Sequence, residues 1–142
     1  MSPVNWGDAF VQAMRTVLVT VSSLPTVRCW ANTTPEPPQD AASVDDAIVA
    51  MDTAPAECGP GAIKRTEATY RVVLYVPLGG DIHAITSLAA AIEAAFWAAA
   101  DASTLTVLGN PVDVLRIRVG PHAEVGALYA LPVFLVVTFD HP

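Results

Sequence analysis

Basic side chains are scarce in this chain: 7 Lys plus Arg stand against 14 Asp plus Glu, for a formal net charge of -7. None of the basic residues falls between Arg28 and Lys64, where Glu36, Asp40, Asp45, Asp46, Asp52 and Glu57 all lie. A protein that grips nucleic acid needs a basic stripe to neutralise phosphates, so this distribution excludes tight DNA binding. An acidic surface can still face DNA that must slide past it. Cysteine is nearly absent. Cys29 and Cys58 lack the further ligands of a zinc site, and in a reducing cytosol they read as two free thiols, with pairing left open. The three histidines, His83, His122 and His141, are isolated from one another, and no Ser or Cys sits in a nucleophile-elbow context. No apolar run reaches the roughly 18 residues of a membrane span, because Ser, Thr, Glu or Asp interrupts each one. The start, "MSPVNWGDAF", has neither a basic segment nor an apolar stretch with a small-residue cleavage site, so synthesis inside the cell is expected without secretion.

Phosphate-binding motifs are missing as well. The stretch "LYVPLGGDIHAITSL", Leu74 to Leu88, turns from a strand through a glycine pair into a helix, as nucleotide sites do. It has no third glycine within the helix and no Gly-Lys-Ser/Thr, and Asp81 stands at the helix cap, where its carboxylate would repel a phosphate. "GPGAIKRT", Gly59 to Thr66, follows a proline-rich segment and leads into a strand, so no helix dipole supports it. The residues therefore predict no catalytic, cofactor-binding or metal-binding site, and a chain that is not an enzyme.

What is abundant is apolar: 53% of the residues are hydrophobic, and the mean hydropathy is +0.45. That is more than one core requires, and the excess points to subunit contacts. Ser2 and Pro3 start a helix well, and Trp6, Phe10, Met14, Val17, Leu18 and Val21 form its apolar stripe, ending near Pro25. "TVRCWAN", Thr26 to Asn32, reads as a short strand. From about residue 33 to 62 the chain is rich in proline and acid and reads as a long loop, within which "SVDDAIVAM" could make a short helix capped by Ser43. "RTEATYRVVLYVP", Arg65 to Pro77, alternates, with Thr66, Ala68, Tyr70, Val72, Leu74 and Val76 on one face. A helix follows with a stripe of Ile82, Ile85, Leu88, Ala89, Ile92, Phe96 and Ala99, and then two strands, Val112 to Gly120 and Ala127 to His141. The expected architecture is α+β: an antiparallel sheet of about four strands packed against two helices, in one domain over residues 1–142.

Several residues stand out as contacts. Arg116 and Arg118 share one strand face, and two neighbouring arginines repel unless they meet acids or phosphates. Pairing with acids of a neighbouring subunit is the sharper reading, and a solvated face the plain one. In "LAAAIEAAFWAAA", Phe96 and Trp97 point about 100° apart, so one serves the core and the other is left for the sheet edge or a neighbour. Asp45 and Asp46 mark the acidic segment as a second contact region.

The order of these segments, with "ATYRVVLYVPLGGDIHAITSLAAAIEAAF" and "LYALPVFLVVTFD" as the matching stretches, resembles the tail terminator, or tail completion, proteins of long-tailed bacteriophages and related phage-like particles. The likeness is one of pattern over nearly the whole chain apart from the acidic segment. It implies a structural virion protein, made in the host cytoplasm, that forms a hexameric ring with itself. Such a ring caps the tail-tube protein, ends tube growth and offers the joining surface to the head-tail connector or stopper. DNA passes through its lumen without sequence-specific binding, and no membrane, metal or cofactor is involved. A connector, a stopper or the tail-tube subunit itself is the nearest alternative, and a small ligand-binding domain or enzyme the more distant one.

Overall fold

The computed structural model describes residues 6–30, 37–38, 40–55, 64–79 and 82–141. Helix α1 spans Trp6–Leu18 and α2 spans Ile82–Asp101. The strands are β1 (Val27–Trp30), β2 (Ser43–Pro55), β3 (Lys64–Pro77), β4 (Thr106–Val107), β5 (Asn110–Val119), β6 (Ala123–Val125) and β7 (Leu128–His141). They form a seven-stranded sheet in the order β1-β2-β3-β7-β5-β4, with β6 also paired to β7. β1 and β2 run parallel, and every other pair is antiparallel.

This overturns the expected antiparallel sheet of about four strands packed on two helices, because the sheet is mixed and nearly twice as wide. The largest correction is β2. Much of the supposed acidic loop is a thirteen-residue strand, and "SVDDAIVAM" is part of it with no helical turn. Val44, Ile48, Val49 and Thr53 give the segment β-branched character, but Asp46 stands at an inward position and a bulge falls between Ile48 and Ala50. Together these hide the period of two that marks a strand.

The other elements follow their apolar spacing. α1 buries Phe10, Val11, Met14 and Leu18, and α2 buries Ile85, Leu88, Ala89, Ile92 and Phe96. Both pack against one face of the sheet, which offers Val44, Tyr70, Val72, Leu74, Val133, Leu135, Val137 and Phe139. Phe96 is fully buried and Trp97 half-buried, as a 100° step between neighbours requires. α2 is also long and apolar enough by length and composition to cross a membrane, where the sequence reading found no such run; here its buried stripe rests on the sheet. The proposed helix start at Ser2 and Pro3, the cap at Asp81, and Cys58 lie outside the described residues.

β4 and β5 are joined through Leu108 and Gly109, with φ of 47° and 85°. Two consecutive left-handed residues are what a two-residue hairpin of type I′ demands. The hairpin turns β5 back along β7, and so sets the arginine pair on the sheet.

Candidate functional site: the helix-free face of the sheet

Strand register decides which side chains share the face turned away from the helices. Asp52, Glu67, Thr138 and Asp113 form one row across β2, β3, β7 and β5, and Ala50, Thr69, Val136 and Arg116 form the next. Arg71, Phe134 and Arg118 follow in the same way. A bulge between Val114 and Arg116 inserts one residue in β5, so Asp113 and Arg116 share a face although their numbers differ by three.

Arg116 and Arg118, with Thr69, Phe134 and Val136, line a depression of about 200 Å³. The Arg118 guanidinium lies over the Phe134 ring, its Cζ 5.1 Å from the centroid, a stacking that steadies the cation without neutralising it. A second cleft of about 420 Å³ lies at the start of β5 and the end of β7, lined by Arg65, Asn110, Pro111, Asp113, Thr138, Phe139, Asp140 and His141. Arg65 donates to Asp140 from Nε at 2.9 Å and from Nη2 at 3.2 Å. That hydrogen bond holds the Asp140 carboxyl below its ordinary value of 3.8. Both side chains are largely in water, so the pair orients this rim more than it stabilises the fold.

The acids predicted as contacts separate. Asp46 is buried on the helix side, where Arg15 donates to it from Nε at 2.7 Å and Nη2 at 2.8 Å, and Tyr70 Oη donates at 2.6 Å. Burial, followed by the Asp46 charge, pushes the Tyr70 phenol far up, and the hydrogen bond to Asp46 raises Arg15. Trp30 closes the cluster, its ring centroid 4.8 Å from Arg15 Cζ. This carboxylate is engaged within the subunit, fastening α1 to β2 and β3. Asp45 points to the opposite face, half-buried, and its carboxyl is raised chiefly by desolvation. It faces Cys29 across the β1–β2 pair, and Cys29 is itself buried, with its thiol pushed up by desolvation. A raised thiol is the opposite of a reactive one. Trp97 is half-buried on α2. Of the five residues, only Arg116 and Arg118 are brought together.

The histidines do not converge. His141 is buried, its Nε2 2.7 Å from Thr66 Oγ1, and it stacks on Trp6 at 4.4 Å between centroids. His122 lies 6.0 Å from the Tyr129 ring, and His83 is exposed in the first turn of α2. Among the described residues, no group of three or more His, Cys, Asp or Glu side chains could hold a metal ion.

The sequence reading missed the outer edge of β2, with Val49, Met51 and Asp52, and the Thr69 and Phe134 flanks of the arginine depression. The β-branched content of the segment, Val44, Ile48, Val49 and Thr53, is the one signal that pointed to a strand.

No protein-family profile matches this chain, and no curated protein does. Among solved structures, one whose name states no activity matches at TM-score 0.60 and 17% identity, over 95% of this chain and 93% of that one. A chain described as "Virion of native gene transfer agent (GTA) particle" matches at TM-score 0.47 and 15% identity, over 95% and 94%. The first likeness shows a shared fold; the second, at that score, supports nothing further.

Proposed function

We propose that this chain is a structural virion protein that works by assembly: the tail terminator of a long-tailed phage or phage-like particle. In this reading residues 1–142 act as a single tail-terminator-like domain. Six copies form a ring on the end of the tail tube, stop its growth and present the surface on which the head's connector or stopper docks. The protein belongs to the virion and turns over no substrate.

The observation that carries the reading is the helix-free sheet face. It spans a broad sheet, bears an arginine pair in a shallow depression, and is bounded by strand edges available for pairing. The two stretches on which the sequence resemblance rests form β3 running into α2, and most of β7, which are the centre of the fold. Within the proposal, Arg116, Arg118, Asp45 and Trp97 are contacts to neighbouring subunits or partners, and Asp46 acts inside the subunit. The net charge of -7 suits a channel through which DNA slides without sticking.

The test mixes purified protein with tail tubes and reads native mass and negative-stain images. Rings seated at one end of each tube are the expected result. Protein that ignores the tubes sinks the proposal, and rings that stack along their own axis identify a tube subunit instead.

A further inference from the structure

Among the described residues, the sheet has two long unpaired edges. On the outer side of β2, β1 pairs only with Ser43 to Asp46, so residues 47–55 are open among the described strands. On the outer side of β5, β4 pairs only with Asn110 and Pro111, and Val112 donates to the Leu105 carbonyl, so residues 113–119 are open among the described residues. Isolated proteins blunt such edges with charge and bulges, and both devices are present here. The net signs of the two edges are opposite: Asp52 on β2, and on β5 one acid, Asp113, outweighed by Arg116 and Arg118. Both edges also expose apolar side chains that simple blunting does not call for: Val49 at 49% and Met51 at 39%, Leu115 at 53% and Val119 at 41%.

We infer that the β2 edge of one copy pairs with the β5 edge of a second copy of this chain. Opposite charge favours that contact, while β5 against β5 would set arginine against arginine and β2 against β2 would set Asp52 near its own counterpart. The pairing is heterologous, joining two different surfaces, and such contacts propagate head to tail until they close a ring or extend as a filament. β2 runs opposite to β3, β3 to β7 and β7 to β5, so β2 and β5 are antiparallel. A rotation about an axis along the strands preserves those directions and extends the sheet antiparallel from copy to copy.

The charges also choose a register. Continuing the rows without stagger would set Asp113 beside Asp52 of the neighbour and leave Arg116 beside Ala50. A slide of about two residues, the kind of stagger a closed sheet requires, sets Arg116 beside Asp52. The inference rests on the edges alone and not on the terminator reading.

The test is a charge exchange followed by sedimentation equilibrium. Asp52→Arg and Arg116→Asp each weaken self-association about tenfold, since each turns an attractive cross-strand pair into a repulsive one. The double variant carrying both changes regains most of the parent's association. Hydrogen exchange on the associated parent shows protection of amides in 47–55 and 113–119 that the single subunit lacks. A parent that stays a single subunit at millimolar concentration, single variants that associate like the parent, a double variant no better than the singles, or unprotected edges would overturn the pairing. Protein that associates through these edges yet ignores tail tubes would leave the pairing standing and remove the terminator reading.

Discussion

Two arginine sites of this protein, one on each face of the sheet, use the same cation in opposite ways. Arg15, in the last turn of α1, has a side chain only 12% exposed and is clamped on a fully buried Asp46 that also accepts from Tyr70. Arg116 and Arg118 lie on the helix-free face, exposed, with an aromatic ring beneath one of them. Burial makes the first site a matter of folding, because a charge out of water must keep its partner. Solvation makes the second indifferent to folding and free to answer a neighbour. Position in the sheet therefore separates the two roles.

The largest effect that would break this comparison is at Asp46. Asp46→Ala leaves a buried guanidinium and a buried phenol without their acceptor and is expected to cost about 3–5 kcal/mol in urea unfolding. A loss below about 1 kcal/mol would show that the clamp is not structural. Gly120→Ala comes next. A Cβ there would stand 2.9 Å from Pro132 Cγ and 3.1 Å from Phe134 Cε2. Pro132 is a rigid ring, so overpacking should cost about 1–3 kcal/mol by the same measurement. The change also disturbs the Phe134 platform beneath Arg118.

By contrast, reversing both surface arginines, Arg116→Glu with Arg118→Glu, should leave the unfolding free energy within about 0.5 kcal/mol while abolishing assembly in sedimentation. Particles that join heads to tails at normal tail length with this variant would remove the arginines from the contact. A pH titration sharpens the buried side. The Tyr70 pKa is raised above its ordinary 10.0, so its contribution is fully present below that value and is lost as pH rises above it. Tyr70→Phe should remove that alkaline loss from the stability profile, while weakening the fold near neutral pH by about 1.5–3 kcal/mol through the missing hydrogen bond to Asp46. The smallest effect belongs to Arg65→Ala. The Asp140 pKa is lowered, so the pair's contribution is present above the ordinary carboxylate value and is lost as pH falls through the folded one. The pair is exposed, and the change should stay below about 1 kcal/mol, visible mainly as an upward shift of the Asp140 carboxyl in an NMR titration.

Legibility in the sequence tracked how local the deciding physics was. The stripe of Phe10, Met14 and Leu18, the alternation from Thr66 to Val76, and the helix through Ile85, Leu88 and Ile92 were readable because each pattern is set by one face meeting one core. β2 was not, because its inward Asp46 is tolerated only through Arg15 and Tyr70, which stand 31 and 24 residues away along the chain. A rule that looks for apolar inward positions cannot see a partner at that distance. The arginine pair was readable as residues sharing a face, but not its depression, which borrows Thr69 from β3 and Phe134 from β7.

By itself, then, the sequence determined the two helices and their apolar stripes, the long central strand, the closing strands and the net negative charge of the chain. Only the tertiary structure decided that Ser43–Pro55 of the acidic segment is a strand, that Asp45 and Asp46 part to opposite faces, and that two sheet edges stay open among the described residues. The reason is physical: helix and strand periods are written within a few consecutive residues, whereas strand pairing, and with it every edge and face, is fixed by residues brought together from distant parts of the chain.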